Sequence, residues 1–120
     1  MTDRTSTGTT ARWAGVVAVG WGAALLVGGR RLFGVLEQRP PSGVEAATIR
    51  VLGARHLVQG VTQVVRPGWA PGVLATVDLT HAASMLALAS VRPADRRAAL
   101  LSAAVAASTA ALTLAPTTSR

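Results

Sequence analysis

The sequence contains no cysteine, no lysine and no tyrosine, and it has one phenylalanine (Phe33) and one isoleucine (Ile49). Without a thiol there can be no cysteine nucleophile, disulfide exchange, iron–sulfur cluster or cysteine-ligated zinc. A water-soluble helical domain normally builds its core from Leu, Ile and Phe at helical spacing, and here Ile and Phe are nearly absent. Catalytic motifs are lacking too: there is no Gly-rich phosphate loop, no nucleophile elbow and no His-Glu-x-x-His. Asp78, His81 and Ser84 fall within a helical turn and a half of one segment, an arrangement unsuited to nucleophilic catalysis.

What is present is Ala, Val, Leu and Gly, in a chain of 120 residues that is 50% hydrophobic. Length allows one domain. Small residues suit a bilayer, where lipid already solvates the apolar faces and helices associate by close backbone approach. The formal net charge is +7, and every basic residue is Arg. A nucleic-acid surface would gather the arginines into one patch with aromatics beside it. Here Arg12, Arg30, Arg31, Arg66, Arg92, Arg96 and Arg97 instead punctuate apolar runs, the placement of loop charges between membrane spans. Nucleic acid is therefore not an expected partner; the lipid bilayer is.

The organisation along the chain follows from its breakers. Residues 1–12 form a Thr-rich polar leader without periodicity, expected to be disordered. A charge-free run from Trp13 to Gly29 meets Arg30-Arg31 and continues through Leu32 to Leu36 with no small-residue cleavage site, which marks a span rather than a signal peptide. Small residues recur on two of its faces, at Ala14, Ala18, Gly22 and at Gly20, Ala24, Gly28. Pro40-Pro41-Ser42-Gly43 and Arg66-Pro67-Gly68 bound a second helix, and Arg92-Pro93-Ala94-Asp95 separates the third from the fourth. The expected architecture is all-α: an integral membrane four-helix bundle, up-down-up-down, with spans at about 13–36, 44–65, 70–91 and 98–115 and a tail at 116–120. Eighteen to twenty-two residues at about 1.5 Å each just cross a hydrocarbon layer of about 30 Å. The fourth span is so rich in Ala that two faces are entirely small: Ala98, Ser102, Ala106, Ala110 and Ala99, Ala103, Ala107, Ala111. Six arginines (Arg30, Arg31, Arg39, Arg92, Arg96, Arg97) fall in the first and third connections and four (Arg4, Arg12, Arg66, Arg120) on the other side. The positive-inside rule then sets both termini outside an inner (plasma) membrane.

Helices two and three carry the informative chemistry. At about 100° per residue, one stripe of helix two collects Glu45, Thr48, Arg55, His56, Gln59, Thr62, Gln63 and Arg66. On helix three, Asp78 and His81 share a face, with Ser84 on its shoulder. Arg55, His56, Asp78 and His81 all lie near mid-span, and helices joined by a short turn are expected to be antiparallel neighbours. A lone charge at the bilayer centre costs roughly 2.5–3.5 kcal/mol, so an Arg55–Asp78 ion pair is expected, with His56, Gln59, Gln63 and His81 completing the hydrogen bonds. Three readings follow from this stripe. It is a buried network that fixes helix register, or a mid-membrane polar pocket for a small molecule, or a metal or haem site using His56 and His81.

The segments Arg50-Val51-Leu52-Gly53-Ala54-Arg55-His56-Leu57-Val58-Gln59-Gly60 and Asp78-Leu79-Thr80-His81-Ala82-Ala83-Ser84-Met85 resemble those of small four-helix bacterial membrane proteins of the broad DoxX-like type. That resemblance covers roughly residues 44–115 and implies a four-helix bundle with a link to quinone-associated membrane redox chemistry. No motif in the sequence names a cofactor. The function expected is therefore binding, as an accessory subunit of a membrane complex, as a homo-oligomer or through the mid-membrane pocket; the alternative is a component of a membrane oxidoreductase that holds quinone or haem. An accessory subunit would dock through the small faces of helix four.

Overall fold

A computed structural model describes residues 4–115, with side chains from residue 8 onward. Four helices follow one another: α1 (Arg4–Glu37), α2 (Gly43–Val65), α3 (Pro71–Val91) and α4 (Arg96–Leu114), with a single 3-10 turn at Pro93–Asp95 before the last. The 34 residues of α1 rise about 51 Å at about 1.5 Å each, which matches the 53 Å long dimension of the molecule.

Local chemistry sets the helix ends. Ser42 caps α2: its hydroxyl accepts from the Glu45 amide at 3.3 Å, and the Glu45 carboxylate accepts from the Ser42 amide at 2.7 Å. Pro71 stands in the first turn of α3, where its missing N–H costs nothing. Gln38 and Ala70, with φ of 56° and 43°, turn the chain through the left-handed region just after α1 and just before α3. The region 4–12, expected to belong to a disordered leader, is the beginning of α1. Its reason is packing: Ala11 is buried, and Gly8 lies in van der Waals range of Pro67 in the α2–α3 turn. Residues 1–3 of that leader and the tail at 116–120 lie outside the described residues.

α1 packs along α2 and along α4, and α3 packs along α4. The α1–α2 contact is made of glycine. A methyl group on Gly15 would sit 2.8 Å from the Gly60 carbonyl oxygen, and one on Gly60 would sit 2.6 Å from that of Gly15. Seven residues along, Gly22 and Gly53 repeat the arrangement at 2.7 and 3.0 Å, and a methyl on Gly29 would collide with Ile49. Only Gly lets the backbones come this close. The small faces expected on this helix are used unevenly: Ala14, Ala18 and Gly22 are buried, whereas Gly20 and Gly28 have open space around them.

α2 and α3, although consecutive, make almost no close backbone approach. They are neighbours through side chains, as the expected Arg55–Asp78 contact requires, and not by backbone contact. α1 and α4 form the continuous layer, and α2 and α3 meet over it only through long side chains. The burial pattern is inverted relative to a water-soluble domain. The largest fully buried side chains are His56, Gln63, Thr109 and Asp78, all polar, while Val27, Val44, Val51, Val58 and Val73 face outward. Three helical segments are long and apolar enough to cross a membrane, Gly8–Glu37, Pro71–Val91 and Pro93–Leu114. α2, expected as a further span, is not among them, because its polar stripe lowers its mean hydropathy.

Candidate binding site between α2 and α3

Asp78 is the centre of the polar network. It has 0% exposure, and its carboxylate takes three donors from two other helices. Arg55 Nη2 lies 3.1 Å from Oδ1, while Gln59 Nε2 and the Thr109 hydroxyl donate to Oδ2 at 2.8 and 2.9 Å. Arg55 and Gln59 stand four residues apart, so both reach toward α3 from one face of α2. Three donors around one carboxylate satisfy a charge that would otherwise be prohibitively costly in an apolar surround.

The other residues expected in this network divide. Gln63 lies a turn further along α2 and donates to the Thr113 hydroxyl at 2.9 Å rather than to Asp78. His81 pairs with Ser102 of α4 through Nε2 at 2.9 Å. His56 is completely enclosed, and neither ring nitrogen has a hydrogen-bond partner among the described residues. Its ring meets that of His81 edge to face, with centroids 6.2 Å apart. Ser84 stays outside the network: it is exposed and returns its hydroxyl to the Thr80 carbonyl at 2.8 Å. The α4 partners Ser102, Thr109 and Thr113 were missed by the sequence reading, which treated that helix as a small-residue face. The available signal was their polarity within an otherwise Ala-rich run.

A second polar cluster closes one end of the bundle. Arg39, in the α1–α2 connection, donates to both oxygens of Glu45, at 3.0 and 2.8 Å, and to Asp95 Oδ1 at 2.7 Å. Its guanidinium also lies over the Phe33 ring, 5.0 Å from the centroid. The hydrogen bond with Glu45 raises the Arg39 pKa above its ordinary value. Arg92 pairs with Asp95 at 3.0 Å, Glu37 accepts from the Ala98 amide, and Arg97 donates to the Leu36 carbonyl. The first and third connections are thereby stitched together.

Between this cluster and the polar centre the seam between α2 and α3 is open. A cleft of about 200 Å³ runs there, floored by α1 and α4 and lined mainly by apolar side chains, among them Trp21, Phe33, Ile49, Leu52, Met85 and Leu88. Arg92, Glu45 and Asp95 stand at one end, and Ser102 at the other. On the far side of the Ser102–His81 hydrogen bond lies a shallower concavity of about 300 Å³, lined by Arg55, Thr76, Thr80, His81 and Ser84. Arg55 Nη1, buried and without a partner among the described residues, belongs to this wall.

The arrangement limits the chemistry. Complete enclosure of His56 leaves no slot beside it for a haem macrocycle, and His81 Nε2 is already engaged by Ser102. His56, Asp78 and His81 do not converge as zinc ligands; among the described residues no group of three such side chains is placed to hold a metal ion. What the seam can do is accept an elongated apolar group whose ends meet polar side chains. No protein-family model, curated protein or solved structure matches the chain.

Proposed function

We propose that the chain is a multi-pass protein of the inner (plasma) membrane that acts by binding an amphiphilic molecule in the seam between α2 and α3. In this reading the four helices run up-down-up-down, both termini are outside, and the arginine-rich connections are cytoplasmic. α2 crosses with the others because its charged stripe is turned inward onto Asp78 and its outward residues, such as Val44, Val51 and Val58, are apolar. The inverted burial pattern supports the membrane, since an apolar exterior over a polar centre is stable in lipid and not in water. Two exposed Trp, Trp13 and Trp69, lie at the end opposite the arginine cluster, at the level where interfacial aromatics anchor a span.

The observation that carries the binding role is the cleft itself. An apolar slot that opens between two helices and ends on polar groups at both ends is a site for something with an apolar body and a polar head. Native mass spectrometry of the protein, purified from its own membrane in mild detergent, tests it. A bound small-molecule mass that disappears in Ala99→Phe, which fills the cleft from α4, is the expected result. A bare chain from both preparations overturns it.

A second reading has its own observation. Gly20, Ala24 and Gly28 form an outward stripe on α1, and Ala104, Ala107 and Ala111 are exposed on α4. These surfaces would accept a neighbouring helix at close range, as an accessory subunit or a homo-oligomer requires. In the same experiment, bound mass belonging to a protein favours this reading over the first.

A further inference from the structure

In a bilayer an acyl chain is already in apolar surroundings, so an apolar cleft does not by itself select one lipid from another. Selection must come from the end of the cleft that meets the headgroup layer. At that end α1 brings Arg30 and Arg31, the α1–α2 connection brings Arg39, α2 brings Arg50, the α3–α4 connection brings Arg92 and the start of α4 brings Arg96 and Arg97, against three carboxylates, Glu37, Glu45 and Asp95. Seven arginines against three acids leave a net charge of +4.

The three acids are all engaged within the protein, Glu45 and Asp95 by Arg39 and Asp95 also by Arg92, and Glu37 by the Ala98 amide. Arg92 stands in the wall of the cleft, its Nε 3.0 Å from Asp95 Oδ2 and its side chain 60% exposed. Among the described residues, neither of its terminal amino groups has an acceptor. The slot therefore ends on a cation with two free donors in fork geometry, which is the arrangement that recognises a phosphate.

We propose that the occupant of the α2–α3 cleft is an anionic phospholipid, one acyl chain lying between Leu52 and Met85 and the phosphate held by Arg92 at the mouth. This rests on the amphiphile-binding reading above and names its ligand. The cleft follows α2 from Val44 to Leu52, about 12 Å at about 1.5 Å per residue, so it receives the upper part of a chain and leaves the rest in the bilayer. Ser102, hydrogen-bonded to His81, stands at its inner end.

Trp21 lines the deep end of the cleft, whereas Trp13 and Trp69 are exposed near the opposite end of the bundle. A Trp13→Phe/Trp69→Phe variant thus reports on the cleft alone. It is reconstituted into zwitterionic vesicles that contain an equal, small fraction of either acyl-brominated phosphatidylglycerol or acyl-brominated phosphatidylcholine, and Trp21 fluorescence is read. The expected result is quenching at about fivefold lower content of the brominated anionic lipid, the preference that one arginine near an anionic headgroup confers. Arg92→Gln should remove that preference and leave the unquenched spectrum unchanged. Equal quenching by both lipids overturns the selection by charge while leaving an amphiphile in the cleft. No quenching of Trp21, with Trp13 and Trp69 of the unaltered chain quenched, overturns the occupied cleft but not the membrane location.

Discussion

Replacing Asp78 and Arg55 singly and together measures how far the bundle depends on the ion pair between α2 and α3. Asp78→Ala leaves Arg55, whose side chain is 25% exposed, without its anion and leaves Gln59 Nε2 without its acceptor. The Thr109 hydroxyl loses less, because it also reaches the Val105 and Ala106 carbonyls at 3.2 and 2.9 Å. Breaking a buried pair from one side typically costs about 3–5 kcal/mol. The partial exposure of Arg55 lowers that, and about 3 kcal/mol is expected. Arg55→Ala should cost about 2 kcal/mol, since the carboxylate keeps its hydrogen bonds from Gln59 and Thr109. The double variant removes both charges, so its cost should stay at about 3 kcal/mol, giving a coupling of about 2 kcal/mol. The assay is reversible unfolding in mixed micelles of mild detergent and SDS, followed by tryptophan fluorescence. A double variant destabilised by the sum of the two single losses, within about 0.5 kcal/mol, would show that the charges do not support one another and refute the assignment.

The same titration separates the glycines. Gly60→Ala, whose methyl would lie 2.6 Å from the Gly15 carbonyl oxygen, should cost about 1–3 kcal/mol, whereas Gly20→Ala, facing open space, should be neutral or stabilising by up to about 1 kcal/mol. Equal effects at the two positions would show that α1 and α2 are not in backbone contact. Thr109→Val removes the α4 donor to Asp78 and should cost about 1 kcal/mol, and no loss would take α4 out of the polar centre. A reporter that is active only after export, fused to the C-terminus, should be active, and cytoplasmic activity would reverse the orientation.

The four helices were legible because their breakers are strong: Pro40-Pro41-Ser42-Gly43, Pro67-Gly68 and Pro93 cut the chain within a few residues of the observed ends. The Arg55–Asp78 contact was legible for a different reason. Two opposite charges at the same depth in apolar helices have few other solutions, so depth alone brought them together. Lateral order was not legible. Ala and Gly occupy nearly every face of α1 and α4, so no stripe of larger side chains announces which helix lies against which. Chain adjacency makes α1–α2 and α2–α3 equal neighbours, whereas the glycine contacts at Gly15–Gly60 and Gly22–Gly53 bring only the first pair to backbone distance. The start of α1 was hidden in the same way, since the Thr-rich residues before Arg12 have no apolar period and are ordered by Ala11 and Gly8 packing. Ser102, Thr109 and Thr113 escaped because a hydroxyl on an Ala-rich helix satisfies its own backbone as readily as a distant partner, and only position decides which.

The two kinds of helix contact account for the cleft. Glycine brings α1 and α2 to backbone distance and leaves no room for a side chain between them. α2 and α3 are instead held by long side chains at two levels: Arg55 and Gln59 onto Asp78 at the centre, and Arg39 from Glu45 to Asp95 at the arginine-rich end. An arginine and its carboxylate set a separation that alanines or glycines would close. Between the two brackets the seam stays open, walled by Ile49 and Leu52 of α2 and Met85 and Leu88 of α3. The ion pairs therefore hold the bundle together and also keep the cleft between α2 and α3 from collapsing. It follows that replacing the central bracket with well-packed apolar residues would restore stability at the expense of the cleft, so stability and ligand binding should part company at Arg55 and Asp78.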